Sequence, residues 1–395
     1  MSLGRLRVVT AGESHGPQLT IVVENLPAGM PLLAEDVDVD LARRQRGYGR
    51  GGRQQIEHDC VEFVAGVRHG RTMGGPIAMV VKNRDWANWQ GKMDIAPVPE
   101  PPPPVTRLRP GHADLAGVVK YGLDDVRNVL ERASARETAS RVAAGGLAKA
   151  FLRQFGIEVR SHVRSIGAAR APAPEELSLA RDGASHAWWA AVEESPIRTG
   201  DKAFEDTAIE MIKSARTAGD TLGGIFEVIA YGVPIGLGTY GQWDERLDGR
   251  LAAAIMSIQS LKGVEIGDAF ANAGRFGSQA HDVIDYEPAA GGWTRPTNHA
   301  GGLEGGVSNG MPLIVRGAAK PISTLINPLP SINYATRERD VGHVERSDVC
   351  VLPAAGVVGE AMVAIVVADA MRLKFGGDSL DEALRNFRSF LERSA

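Results

Sequence analysis

Cysteine is nearly absent from this 395-residue chain: only Cys60 and Cys350 occur, far apart and with no CxxC pair. That excludes a disulfide scaffold and a zinc ribbon and fits a reducing compartment. The start, MSLGRLRVVTAGESHG, lacks a continuous apolar segment, and the apolar stretch from Met362 to Val367 is far shorter than a bilayer span. A soluble cytoplasmic protein without a membrane partner is therefore expected. Charge of one sign is not in excess either. With 44 Lys and Arg against 48 Asp and Glu, the net charge of −4 argues against a surface built to coat nucleic acid. Missing too are HExxH, Walker A and G-x-S-x-G motifs, and no internal repeat is present.

What is present is an ordinary globular mixture, 44% hydrophobic and 23% charged, on a chain long enough to bury a large core. Glycine is the outlier at 47 residues, roughly 12% against a usual 7% or so, without a G-X-Y period, so it should serve tight turns and close approach to ligands. Thr20–Glu24, Ile77–Lys82, Gly224–Ala230 and Leu313–Arg316 read as short strands. Val37–Arg46, Ser134–Phe155 and Leu247–Gln259 read as helices, which makes the class mixed α and β. Ser379 and Glu382 form a capping box ahead of a last helix with Leu384, Phe387 and Leu391 on one face. The Pro-rich run 97–105 reads as a surface loop rather than a linker, and 168–200 as a peripheral insertion in a single domain spanning 1–395.

Chemistry-bearing residues fall in separate segments. Gly12-Glu-Ser-His-Gly16 holds His15 in a glycine-flanked turn, where a histidine can approach a phosphate as a proton donor. Arg43, Arg44, Arg46, Arg50 and Arg53 lie among four glycines, a loop suited to a small polyanion; an RNA-binding RGG-like tract is the competing reading. Arg107-Leu-Arg-Pro-Gly-His-Ala-Asp114 adds Arg109 and His112 in a second turn. Ser134 and Thr138 open a helix that Arg132 and Arg136 flank, an arrangement that offers N–H groups and hydroxyls to a phosphate. The glycine loop 301–310 lacks the strand and helix of a dinucleotide fingerprint. Lys320-Pro-Ile-Ser-Thr324 supplies an ammonium and two hydroxyls, and Arg346-Ser-Asp348 an acid beside an arginine.

These blocks, with ERASARETASRVAAG at 131–145 and RSDVCVLPAAGVVGEAM at 346–362, together resemble the chorismate synthase family, in the family's order from residue 12 to 362. Asn25 stands where Gly is usual, Gly146 where a slightly larger residue is, and Ser260 in place of a common alanine. The resemblance implies an α+β fold, a single domain of helices sandwiched between antiparallel sheets, assembled as a homotetramer. It implies a lyase that converts 5-enolpyruvylshikimate 3-phosphate to chorismate by anti 1,4-elimination of phosphate, the last common step towards aromatic amino acids. Reduced FMN is implied as a transient electron and proton relay, with NADPH acting only through an external flavin reductase. By matching position, His15 would protonate the phosphate, His112 would sit at the flavin, and Asp348 would help take the ring proton. Arg44, Arg50, Arg53 and Arg109 would bind substrate, with Arg44 and Arg50 also associated with NADP. The implied flavin contacts are Arg132, Ala133, Ser134, Gln259, Ser260, Gly305, Lys320, Pro321, Ile322, Ser323, Thr324 and Arg346. No metal and no nucleic acid is implied. A different FMN enzyme acting on an anionic substrate is the alternative, and net oxidation of the flavin would mark it.

Overall fold

Strand β1 (Arg7–Ala11) and β2 (Gln18–Glu24) join through the turn that carries His15; β2 buries Leu19, Ile21 and Val23 and turns the residues between them outward, the period of a strand with one face on the core. With β3 (Val61–Ala65) and β4 (Ile77–Lys82) they form an antiparallel sheet in the order β1-β2-β4-β3. A second antiparallel sheet is built from β5 (Glu158–Ile166), β6 (Ala169–Arg170), β7 (Gly224–Tyr231), β8 (Leu261–Ile266) and β9 (Leu313–Ala319), in the order β8-β9-β7-β5-β6. This computed structural model describes residues 6–394 except 52–55, 173, 181–182, 184–185, 289–291 and 346.

The helices that build the core and the site are α1 (Glu35–Gln45), α2 (Asp114–Tyr121), α3 (Arg127–Ala133), α4 (Thr138–Arg153), α5 (Lys202–Thr217), α6 (Leu247–Met256), α7 (Leu352–Phe375) and α8 (Leu380–Ser394). Between the sheets, α4 packs on β2 and β5, α7 lies across β5 and β7, and both touch α1. The fold is therefore α+β with helices between antiparallel sheets. With 24 residues and an 18-residue window of mean hydropathy 1.8, α7 is long and apolar enough to cross a membrane, but 89% of that window is buried inside the protein. It is the core helix, apolar on every side because neighbours surround it. Sequence reading isolated only Met362–Val367, because Glu360 before it and Asp369, Arg372 and Lys374 after it interrupt the apolar run. Small residues let the helices meet: a Cβ at Gly145 of α4 would fall 2.2 Å from Ala361 Cβ.

One polar cluster interrupts this layer. Glu360 of α7, wholly buried, meets Arg43 of α1 at 2.7 and 2.8 Å, Lys149 of α4 at 2.5 Å and Arg198 at 3.2 Å, and accepts from Ser161 Oγ of β5 at 2.6 Å. Asp40 and Glu193 complete the charge balance through Arg43, Lys149 and Arg198. Burial alone would raise the Glu360 carboxyl, but the three cations hold it well below the usual carboxylate range.

The strands appear where the β-branched runs place them, with β9 running on to Ala319 and β2 starting at Gln18. The expected helix from Ser134 to Phe155 is instead α4, preceded by a 3-10 turn at Ala135–Glu137 and a break at Ser134, whose ψ of 145° is extended. The capping box forms as read: Glu382 Oε2 accepts the Ser379 N–H at 3.0 Å while the Glu382 N–H donates to Ser379 Oγ at 3.3 Å. Leu391 is exposed, and Phe387 and Phe390 pack on Phe375 instead. Asn25 holds a φ of 72°, a conformation asparagine tolerates. Residues 97–104 are irregular, and most are exposed. In the 168–200 segment, Trp189 and Val192 pack on Ile229 and Tyr231, while Glu193 and Arg198 reach the charged cluster.

Candidate active site

Glycine makes the turn that presents His15. Gly12 has a φ of +115°, and a Cβ there would fall 2.6 Å from the Gln18 carbonyl oxygen. The turn sets Ser14 and His15 against α3. Buried Glu131 accepts the His15 backbone N–H on Oε2 at 2.7 Å and faces His15 Nδ1 with Oε1 at 2.9 Å. Trp89 stacks on the imidazole with centroids 3.8 Å apart, and the Arg127 guanidinium lies 5.1 Å over the indole. Carboxylate and indole together fix both the tilt and the rotation of the ring.

The arginine loop lies flat on the start of α7 for a similar reason: a Cβ at Gly47, φ +127°, would come within 2.9 Å of Pro353 Cβ. Asp348 clamps the loop, accepting the Gly51 N–H at 2.5 Å and meeting Arg50 Nη1 at 3.2 Å. Deeper in, Arg136 Nη1 meets both oxygens of Asp59 at 2.6 and 2.7 Å, and Arg44 Nη1 reaches the same carboxylate at 3.4 Å. Burial pushes the Arg44 guanidinium down to about 10; Asp59 opposes that, while Arg136 and Arg50 add to it. Arg44 is thus a buried cation short of counter-charge, and an anion beside it would make up the deficit.

Across the cavity, His112 sits beside Arg109 in the turn before α2, and Arg109 Nη1 donates to Thr324 Oγ1 at 2.9 Å. Ser134 Oγ donates to Ser14 Oγ at 3.1 Å and accepts from the Arg136 N–H at 3.2 Å. Gln259 Nε2 donates to Glu137 at 2.9 Å. Ser260 holds a φ of 71°, strained for a residue with a Cβ. Among the described residues, three buried side-chain atoms on cavity-lining residues have no hydrogen-bond partner: Arg50 Nε, Arg136 Nη2 and Gln259 Oε1. Two are donors and one an acceptor, so a ligand here should carry both anionic oxygens and an N–H or O–H.

The cavity enclosed by these segments measures about 590 Å³, within the range of about 300 to 1,000 Å³ usual for small-molecule sites. Of the residues singled out in the sequence, His15, His112, Asp348, Arg44, Arg50, Arg109, Ala133, Ser134, Gln259, Ser260, Lys320, Ile322, Ser323 and Thr324 line it. Pro321 does not, although its neighbours on both sides do. Arg132 does not line it either; in the last turn of α3, before the break at Ser134, its Nη2 donates to the Thr10 carbonyl of β1 at 3.0 Å. Gly305 sits away from the wall, in the hairpin between Leu303–Glu304 and Val307–Ser308. Arg53 and Arg346 lie outside the described residues. Trp89, Glu131, Arg136, Glu57 and Glu345 line the cavity without having been assigned a role. Arg136 had a signal, as a flank of the helix start; Trp89 had none, since only the fold brings it to His15.

A family model described as chorismate synthase matches residues 6–372. The chain belongs to the chorismate synthase family. It is accordingly an enzyme, a lyase. The chorismate synthase of Symbiobacterium thermophilum is 53% identical over 396 residues, covering 99% of this chain and 100% of the relative. That of Pelobacter propionicus is 52% identical, covering 98% and 99%. A crystal structure of a chorismate synthase superposes with a TM-score of 0.80 at 41% identity, covering 99% of each chain.

Proposed function

We propose that this chorismate synthase family member eliminates phosphate from 5-enolpyruvylshikimate 3-phosphate in the cavity between His15 and His112, giving chorismate. What carries the reading is the arginine face: Arg44 buried with its guanidinium pushed down to about 10, and, among the described residues, Arg50 Nε and Arg136 Nη2 buried without a hydrogen-bond partner, the latter only 3.8 Å from Glu57 Oε2. A substrate with one phosphate and two carboxylates supplies what those groups lack. The unpartnered Gln259 Oε1, beside Ser134 and the Lys320–Thr324 segment, fits a flavin with ring N–H and a phosphate tail. Ala133, Ser134, Gln259, Ser260, Lys320, Ile322, Ser323 and Thr324 would hold reduced FMN. When bound, the flavin would supply transient electron density and a site for the ring proton.

The chain's own residues do the rest. Arg44, Arg50, Arg109 and Arg136 bind the anionic groups and stabilise the charge that builds on the departing phosphate, with donors fixed in advance by Asp59, Asp114 and Asp348. His15, oriented by Glu131 and Trp89, protonates that phosphate. His112 manages protons at the flavin side, and Asp348 assists in removing the ring proton. An external NADPH-dependent reductase in the cytoplasm would supply the flavin in its reduced form. The active form is a homotetramer, a proposal supported by the exposed aromatics Tyr240, Trp243, Phe270, Phe276 and Tyr286. Neither nucleic acid nor membrane takes part. Replacing His15 or His112 by Ala should cut turnover about 10²-fold or more in folded protein, measured as chorismate formed with reduced FMN in excess. Near wild-type rates in both variants would overturn these roles.

A further inference from the structure

Asp114 opens α2 and is wholly buried, and its two oxygens face different sets of donors. Oδ2 accepts the Arg109 backbone N–H at 2.9 Å and Arg109 Nε at 3.0 Å. Oδ1 faces Arg109 Nη2 at 3.1 Å and His112 Nδ1 at 2.5 Å. Peptide and guanidinium N–H groups can only donate. His112 Nδ1 alone among the four can do either, and a carboxylate, which only accepts, makes it donate. Burial would raise the Asp114 carboxyl, yet the hydrogen bonds from His112 and Arg109 hold it well below the usual carboxylate range, so the acceptor is an anion. With the proton of the neutral ring on Nδ1, the lone pair lies on Nε2; Arg109 Nη2, 3.0 Å from Nδ1 and 3.3 Å from Nε2, does not discriminate between them, so the carboxylate decides the tautomer.

We propose that Asp114 is a positioning residue: it fixes His112 as the Nδ1–H tautomer, leaving Nε2 as the ring nitrogen that takes up a proton, and locks Arg109 with the same carboxylate. The proposal deepens the functional reading, on which it rests for the role of His112. A similar arrangement recurs at His15, where Glu131 spends one oxygen on a backbone N–H and the other on Nδ1. Each histidine assigned to proton transfer is thus backed by its own buried carboxylate.

The Oδ2 position faces two obligate donors, and that fixes how Asp114→Asn behaves. The amide oxygen stays at Oδ2, where it satisfies two donors, which puts the amide NH2 against His112 Nδ1 and Arg109 Nη2, the fewer obligate donors of the two placements. Nδ1 then becomes the acceptor, and the ring proton moves to Nε2. The test is ¹⁵N magic-angle-spinning NMR of the full-length FMN-bound protein labelled at histidine, with the His112 signals assigned by their loss in H112A. Wild-type protein should show Nδ1–H and a bare Nε2; a wild-type ring protonated at Nε2 alone would overturn the proposal without any variant. D114N should show the reversed pattern, with kcat down about 10²-fold; the KM for the enolpyruvyl substrate rises as well, because the same substitution loosens Arg109. An unreversed ring in D114N, or a loss confined to KM, would overturn it. The ring readout does not depend on which reaction the cavity runs. Wild-type protein that makes no chorismate yet holds Nδ1–H would refute the functional reading and not the tautomer; active protein with Nε2–H would do the reverse.

Discussion

Glu360→Gln removes one charge from a buried cluster that is otherwise balanced, Arg43, Lys149 and Arg198 against Asp40, Glu193 and Glu360. The native carboxylate accepts at both oxygens: Oε1 from Arg43 Nη2, Arg198 and Ser161, and Oε2 from Arg43 Nη1 and Lys149. A glutamine must turn its NH2 toward one of those sets. Placed at Oε2 it meets two cationic donors at 2.7 and 2.5 Å; placed at Oε1 it meets three donors. Removing one partner from a buried ion pair destabilises by about 3 to 5 kcal/mol, since the remaining charge stays buried without compensation. That is a large share of the roughly 5 to 15 kcal/mol by which proteins are stable. Urea unfolding followed by tryptophan fluorescence should show a lower midpoint with an unchanged slope. Arg43→Gln combined with Glu360→Gln rebalances the charge, so the double variant should lose less than the sum of the single losses. Arg43 precedes Arg44 in the last turn of α1, so folded E360Q should also bind substrate more weakly. A midpoint shift worth under about 1 kcal/mol, or strict additivity in the double variant, would refute the claim that this cluster is a tightly coupled unit.

Arg50→Ala removes a guanidinium held at 3.2 Å by Asp348, with Nε unpartnered among the described residues; the dissociation constant for the enolpyruvyl phosphate should rise at least tenfold, about 1.4 kcal/mol or more, and an unchanged constant by calorimetry would remove Arg50 from the substrate site. Acid stability follows from two glutamates. Burial would raise the Glu193 and Glu345 carboxyls, but Arg43 and Arg198 for the first, and His343 and Arg127 for the second, hold both at about 2, below their ordinary 4.5. Because the folded values are depressed, the stability they lend is complete above about pH 4.5 and is lost as pH falls toward 2. The melting temperature should therefore hold near pH 5 and drop steeply below 4.5, and a flat profile down to pH 2.5 would contradict the assignment.

Local pattern sufficed for the strands, which are short β-branched runs between turn residues, and for the C-terminal capping box, which depends on residues three apart. It failed at α7, where Glu360, Asp369, Arg372 and Lys374 interrupt the apolar run and only the packing of α4 and β7 shows a core helix. The site was legible as a set of arginine- and glycine-rich segments, and the resemblance put names to them. Pairings across the chain were not legible, because sequence spacing says nothing of contacts such as Trp89 with His15, Asp59 with two arginines, or Glu131 with an imidazole 116 positions away. The break at Ser134 was also hidden, and it separates Arg132, bound to β1, from Arg136, which faces the cavity.

The measurement that bears most directly on the central claim is an anaerobic assay with purified protein, chemically reduced FMN well below the substrate concentration, and 5-enolpyruvylshikimate 3-phosphate. Chorismate is followed by its diene absorbance, phosphate by release, and the flavin by its visible spectrum. The account predicts many turnovers per flavin, phosphate and chorismate in equal amounts, and flavin still reduced at the end. Flavin oxidised one for one with product, or substrate left intact by folded, flavin-bound protein, would contradict it.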